Sequence, residues 1–65
     1  MLAMPTSNVY VYYEDGKREN VAIQDDLDKN DAYEFKVLYE KVRRKFVIMV
    51  TLETRNGDTL SRFVF

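Results

Sequence analysis

The first regular pattern in the chain is a run of β-branched and aromatic residues at positions 9–13, followed by Asp15-Gly16. Residues of this kind favour strands, and Asp-Gly between two strand-like segments favours a hairpin. The returning segment has its apolar side chains at Val21 and Ile23. A three-residue loop with a glycine bulge would place both on the face of the odd-numbered residues of the first strand. A two-residue turn would place them on the even-numbered face, and the pattern leaves both registers open.

The last third of the chain repeats this design, with strand-like segments at residues 46–54 and 59–65 on either side of Asn56-Gly57. Asn-Gly favours a two-residue type I′ turn, which gives the hairpin one continuous apolar face. This predicted core face consists of Phe46, Ile48, Val50, Leu52, Phe63 and Phe65. The opposite face carries Val47, Met49, Leu60 and Val64. Apolar residues on both faces are expected where a second layer or a partner covers the sheet.

The middle segment, residues 25–45, fits a helix better than a strand. Its apolar side chains form one stripe at the helical spacing, namely Ala32, Phe35, Leu38, Tyr39 and Val42, continued by Phe46. Asp28 or Asn30 can cap the start, and basic side chains crowd the last turn, where the helix dipole favours them. Tyr33, Phe35, Val37 and Tyr39 also alternate with polar residues, which a strand would require.

The predicted element order is therefore ββαββ, an α+β fold in which one helix packs on one face of a four-stranded, mostly antiparallel sheet. A strand in the middle segment would instead give an all-β, five-stranded, barrel-like domain. A chain of 65 residues has room for one domain. We place this domain at residues 9–65, after a flexible N-terminal lead over residues 1–8.

Composition narrows the chemistry. The chain has no cysteine and no histidine, the side chains that most readily supply a nucleophile or a proton-transfer group near neutral pH. We therefore expect no enzymatic activity, no metal and no cofactor. The longest apolar run, residues 46–50, is far shorter than the ~20 residues of a membrane-spanning helix. The N-terminus also lacks the features of a secretory signal, so a cytoplasmic location without a membrane partner is expected.

The five tyrosines are the most unusual feature of the composition. Tyrosine is enriched at protein interfaces because its ring offers a large contact area and its hydroxyl tolerates water. We predict a protein interface formed by Tyr10, Tyr12 and Tyr13 of the first strand together with Met49 and Val64 of the last hairpin.

A single basic cluster gives the alternative prediction, which is a small nucleic-acid-binding protein. Lys41, Arg43, Arg44 and Lys45 lie at the end of the predicted helix, where they could contact phosphates beside a stacked aromatic ring. The net charge of −1 argues against this, because the chain as a whole does not attract nucleic acid.

The predicted last strand has an apolar end, with no charged residue or proline after Arg62. Natural proteins usually cover such an edge, and pairing with the same edge of a second copy would give a two-fold homodimer. The leading functional hypothesis is a small regulatory or inhibitory protein, of the size that phages and mobile elements commonly encode. It would act by binding the surface of an unidentified partner protein.

Overall fold

The computed structural model describes residues 6–65, which form four strands and one helix. The elements are β1 (Ser7–Tyr13), β2 (Arg18–Gln24), α1 (Lys29–Arg43), β3 (Val47–Glu53) and β4 (Thr59–Val64). The strands make one open antiparallel sheet in the order β2-β1-β3-β4, and the helix packs on one face of it, over β3 and β1. The predicted α+β fold is confirmed, and the all-β barrel-like alternative is wrong, because the middle segment is helical and the sheet does not close.

The start of β1 lies two residues before the predicted start of the domain at residue 9. Ser7 is buried and pairs with Gln24 of β2. Of the predicted N-terminal lead over residues 1–8, residues 1–5 lie outside the described part of the chain, and the domain includes Ser7 and Asn8.

The helix begins and ends at identifiable caps. Oδ1 of Asp28 accepts a hydrogen bond from the backbone N–H of Asp31 at 2.8 Å, so Asp28 is the N-cap. Of the two predicted caps, Asp28 and Asn30, the first is therefore confirmed. At the other end, Arg44 adopts the left-handed conformation with a φ of 55°. Its N–H donates to the carbonyl of Glu40 at 2.9 Å, which closes the last turn.

The first hairpin has the three-residue loop with a glycine bulge. The backbone N–H of Tyr13 donates to the carbonyl of Lys17 at 2.9 Å, and Gly16 takes the left-handed position with a φ of 86°. Val21 packs against the core, as this loop requires.

A second bulge in the same hairpin decides the position of Ile23. The register between β1 and β2 shifts after Val9, so that Ala22 pairs with Val9 and Ile23 pairs with Asn8. Because directly opposite residues share a face, Ile23 lies away from the helix and its side chain is exposed. The first hairpin therefore places Val21 and Ile23 on different faces, which neither predicted register allowed.

The turn of the second hairpin differs from the prediction. Only Gly57 has a positive φ, of 90°, whereas a type I′ turn needs a positive φ at Asn56 as well. The N–H of Thr54 donates to the carbonyl of Asp58 at 2.8 Å, and the N–H of Asp58 donates to the Thr54 hydroxyl at 3.1 Å. These bonds enclose a three-residue loop, so the predicted two-residue turn is wrong.

The strand register of this hairpin is nevertheless the predicted one, with Val50 opposite Phe63. A bulge between the pairs Leu52–Ser61 and Glu53–Thr59 leaves Leu60 as the extra residue and offsets the longer loop.

The core lies between the helix and the sheet. Its buried apolar residues are Val9, Val11, Tyr13, Leu27, Ala32, Val47, Val50 and Leu52. Val21, Ala22, Phe35, Tyr39 and Phe63 pack against them. Leu38 and Val42, which belonged to the predicted helix stripe, are about half exposed, so the buried stripe of the helix is narrower than its sequence suggested.

A bulge between β1 and β3 changes which residues of β3 reach the core. Tyr12 pairs with Met49 and Tyr13 with Val47, which leaves Ile48 without a partner in β1. Val47 is consequently buried, while Phe46 is 67% exposed and Ile48 is also exposed. The prediction that Phe46 and Ile48 belong to the core face, with Val47 opposite, is wrong because simple alternation stops at the bulge.

Candidate protein-interaction surface

The sheet face that lies away from the helix carries three complete rows of side chains, the third being Ile23, Asn8, Glu53 and Thr59. We call the first two rows together with Glu53 the open face. The strand registers give the first row as Arg18, Tyr12, Met49 and Val64, and the second as Asn20, Tyr10, Thr51 and Arg62. Each row crosses all four strands in the order β2-β1-β3-β4. Four of the five predicted interface residues, Tyr10, Tyr12, Met49 and Val64, therefore lie side by side.

Tyr13, the fifth predicted interface residue, does not lie on the open face. Side chains alternate along β1, so Tyr13 points toward the helix with Val9 and Val11, and it is only 2% exposed. Its hydroxyl donates to Oε1 of Glu19 at 2.6 Å. Burial, together with the hydrogen bond and the negative charge of Glu19, raises the pKa of Tyr13 to about 12. Tyr13 is a core residue and cannot contact a partner.

A buried carboxylate organises the open face. Glu53 is only 7% exposed, and its Oε2 accepts hydrogen bonds from the Tyr12 hydroxyl at 2.6 Å and from the Thr51 hydroxyl at 2.7 Å. Its Oε1 accepts a hydrogen bond from Nη1 of Arg18 at 3.1 Å. Burial raises the pKa of Glu53, but the hydrogen bonds from Tyr12 and Thr51 and the charge of Arg18 outweigh it, and the pKa lies below its ordinary value. Glu53 is therefore ionised at neutral pH.

Arg18 links the two tyrosines of the open face. Its guanidinium lies 4.1 Å from the centre of the Tyr10 ring, and its Nη1 also donates to the Tyr12 hydroxyl at 3.1 Å. Stacking of this kind is favourable because the face of an aromatic ring is negative. The Tyr10 and Tyr12 rings are thus held by Arg18 and Glu53 in fixed positions, while about half of the Arg18 side chain remains accessible.

Exposure on the open face is uneven. Val64 is 71% exposed and Arg62 is exposed, whereas Thr51 is fully buried although α1 lies on the other side of the sheet. Because Glu53 is buried, the charged groups of the open face that solvent reaches are the guanidinium groups of Arg18 and Arg62. The open face is therefore aromatic and aliphatic with an accessible positive charge, in a chain whose net charge is −1.

Sequence reasoning did not single out Arg18, Thr51 or Glu53. The alternation of β3 places Thr51 and Glu53 on the face of Met49, and the three-residue loop places Arg18 opposite Tyr12. That signal becomes usable only once the loop length and the order of the strands are known.

The structure divides the predicted basic cluster into two parts. Arg43 donates from Nε and Nη2 to the two carboxylate oxygens of Glu19, at 3.0 and 2.5 Å, which raises the pKa of Arg43. Lys45 donates to Oδ2 of Asp15 at 2.9 Å and lies over the Tyr13 ring. Within residues 6–65, Lys41 and Arg44 are exposed and form no ion pair. Two of the four predicted phosphate contacts, Arg43 and Lys45, are thus paired with carboxylates of this chain.

No helix among residues 6–65 is long and apolar enough to cross a membrane. Residues 6–65 also contain no group of three or more acidic side chains placed to hold a metal ion. Comparison of the chain with protein-family models, with curated proteins and with solved structures finds no match, so its function has to be inferred from the open face itself.

Proposed function

We propose that this chain is a non-catalytic interaction module that regulates or inhibits a partner protein by binding it with the open face. The observation that supports this proposal is a pair of tyrosines on the open face, with Tyr12 bonded to Arg18 and Glu53 and Tyr10 stacked on Arg18. The exposed Val64 lies on the same face.

The fixed positions of these side chains favour binding. Tyrosine and arginine are the residue types that most often dominate the free energy of protein interfaces. An interface must also order its side chains, at a cost of about 0.5–1.5 kcal/mol for each one that becomes immobile. Tyr10, Tyr12 and Arg18 are already ordered by their contacts with one another and with Glu53, so a partner avoids much of this cost.

The accessible charge of the open face indicates the chemistry of the partner. Arg18 and Arg62 present positive groups in the two adjacent rows, while the negative charge of Glu53 is buried beneath Tyr12 and Arg18. A complementary surface would be apolar where it meets Tyr12, Met49 and Val64, with carboxylates opposite Arg18 and Arg62. Charges at such a rim mainly increase the rate of association.

Affinity capture with matched variants tests this proposal. Tyr10→Ala is compared as bait with wild type and with Val42→Ser, a control on the outer side of the helix where Val42 is 53% exposed. A partner from an extract of the source organism is then purified, and its affinity is measured. We expect Tyr10→Ala to weaken binding by about 30-fold, corresponding to about 2 kcal/mol, and Val42→Ser to have no effect. A partner that loses affinity with Val42→Ser and not with Tyr10→Ala would refute the assignment of the open face.

The nucleic-acid alternative is tested in parallel by fluorescence anisotropy of labelled single- and double-stranded DNA and RNA. Binding that weakens steeply with salt, and that is lost in the double variant Arg43→Glu with Arg44→Glu, would replace the protein-partner proposal. We expect flat titration curves, because Glu19 and Asp15 already pair with Arg43 and Lys45.

A further inference from the structure

The two edges of the sheet differ in how well they are protected. On the β2 edge, the Asn20 side chain donates to the carbonyls of Val9 and Ala22, at 3.0 and 3.1 Å, where the ladder is interrupted by a bulge. Arg18 and Glu19 add charges to the same strand. Bulges and charged side chains of this kind discourage pairing with another strand. On the β4 edge, the bulge lies at Leu60, at the start of the strand, and the stretch after it is regular.

The backbone groups that β4 turns outward can be assigned. The N–H of Phe65 donates to the carbonyl of Ile48 at 2.8 Å, so the backbone groups of Phe65 point toward β3. In an antiparallel ladder this direction alternates, which turns the N–H and C=O groups of Arg62 and Val64 away from β3. No strand among the described residues pairs with these donors and acceptors, which form a template beside the apolar side chains of Val64 and Phe65.

We propose that β4 pairs with β4 of a second copy of this chain, antiparallel and with Phe63 on the two-fold axis. Directly opposite residues of antiparallel strands share a face, and a two-fold axis perpendicular to the sheet keeps each residue on its own face. The axis must therefore pass midway between the two copies of one residue. This register places Arg62 opposite Val64 of the second copy. The outward-facing N–H and C=O groups of both residues then form hydrogen bonds between the two copies.

The neighbouring registers are less favourable. An axis through Arg62 would set the two Arg62 side chains opposite each other, and like charges in that position destabilise a sheet. An axis through Ser61 would leave Val64, the most exposed apolar side chain of the described residues, without a neighbour, and would extend the pairing into the bulge at Leu60. Of these three registers, only the one centred on Phe63 avoids both.

The position of the helix leaves room for this seam. It packs mainly over β3 and β1, and its Tyr33 and Lys36 side chains reach Phe65, just beyond the end of β4. The two-fold axis would run perpendicular to the sheet, with both helices on one side of a continuous eight-stranded sheet. This dimer does not depend on the proposed partner protein and can be tested in the purified chain.

Charge substitutions at Val64 test the register in the full chain. In the proposed dimer, Val64→Glu places a carboxylate opposite Arg62 of the second copy, and Val64→Lys places a like charge there. The dimer contains two such pairs, one on each side of the axis. We therefore expect the dimer dissociation constants of the two variants to differ by about tenfold, with Val64→Lys forming the weaker dimer. The difference should shrink at high salt. The measurement is sedimentation equilibrium over a range of concentrations. A wild type that is monomeric at every concentration, or equal dissociation constants for the two variants, would overturn the proposal.

Single cysteines give a second, independent measurement, because the chain has no cysteine of its own. On oxidation we expect Phe63→Cys to form a disulfide-linked dimer, since its two copies would lie within disulfide distance across the axis. Ser61→Cys is the matched control and should remain monomeric under denaturing conditions. The reverse result would place the axis at Ser61 and contradict the proposed register.

Discussion

At the scale of single residues, Glu53 shows how a charged side chain can lie on a sheet face that no helix covers and still be buried. The ring of Tyr12 and the side chain of Arg18 both reach it, and with Thr51 they supply three donors to its two oxygens. A buried carboxylate without such donors would be strongly destabilising. Glu53 and its donors therefore have to be considered as one unit.

We expect Glu53→Gln to lower the free energy of unfolding by about 1–3 kcal/mol, because the ion pair with Arg18 is lost and donors of this unit lose a charged acceptor. Glu14→Gln is the control, since Glu14 is exposed, and it should change stability by less than about 0.5 kcal/mol. Urea denaturation followed by circular dichroism measures both. Equal effects of the two substitutions would show that Glu53 contributes nothing specific.

The same residue predicts a dependence on pH. The pKa of Glu53 in the folded chain lies below 4.5, so its ionised form stabilises the fold above that pH. This stabilisation disappears as the pH falls through the folded-state pKa. Over that range the free energy of unfolding should fall more steeply in the wild type than in Glu53→Gln. Glu19 and Glu40 also have lowered pKa values, so some acid sensitivity remains in the variant.

Residue patterns predicted part of the open face and missed another part. The tyrosines could be recognised because tyrosine is common at interfaces and because strand alternation separates Tyr10 and Tyr12 from Tyr13. Which of the two sets faces the helix depends on tertiary packing, and Tyr13 proved to be the core residue. Glu53 could not be found because its significance comes from Arg18, which is distant in sequence and adjacent only in the folded sheet.

At the scale of elements, the strands and the helix were predictable, whereas the bulges were not. The helix and its N-cap at Asp28 follow from local sequence. The bulges at Ile48 and Leu60 follow from how β3 meets its two neighbours, which no local pattern shows. Because each bulge reverses the alternation on one side of it, Phe46 and Val47 exchanged the positions that were predicted for them.

The C-terminal cap of the helix offers a stabilising substitution. Arg44 has a φ of 55°, a conformation that costs a residue with a Cβ atom about 1 kcal/mol relative to glycine. We expect Arg44→Gly to raise the free energy of unfolding by up to about 1 kcal/mol and Arg44→Ala to give no gain, because alanine keeps the Cβ atom. Thermal and urea denaturation of both variants measure this. Equal stabilities of the two variants would contradict the explanation.

At the scale of the whole molecule, ion pairs connect elements that are far apart in sequence. Arg43 pairs with Glu19 of β2, and Lys45 pairs with Asp15 of the first loop. Both basic side chains surround the buried Tyr13, whose hydroxyl bonds to the same Glu19. Folding thus divides the predicted basic cluster between Arg43 and Lys45, which are in ion pairs, and the exposed Lys41 and Arg44.

The strand order has a consequence for how the chain could be divided. Each hairpin is local, and within residues 6–65 the β1–β3 pairing is the only one that joins the first part of the chain to the second. A cut after Asp26, which is exposed, would separate β1 and β2 from the helix, β3 and β4. Each fragment alone would expose its half of the core and lack the central pairing.

We expect the separate fragments to be unfolded and an equimolar mixture to regain the circular dichroism spectrum of the intact chain. A native-like spectrum from either fragment alone would show that the halves fold independently, whereas complementation would make this domain a two-part reporter that assembles only when its fragments meet.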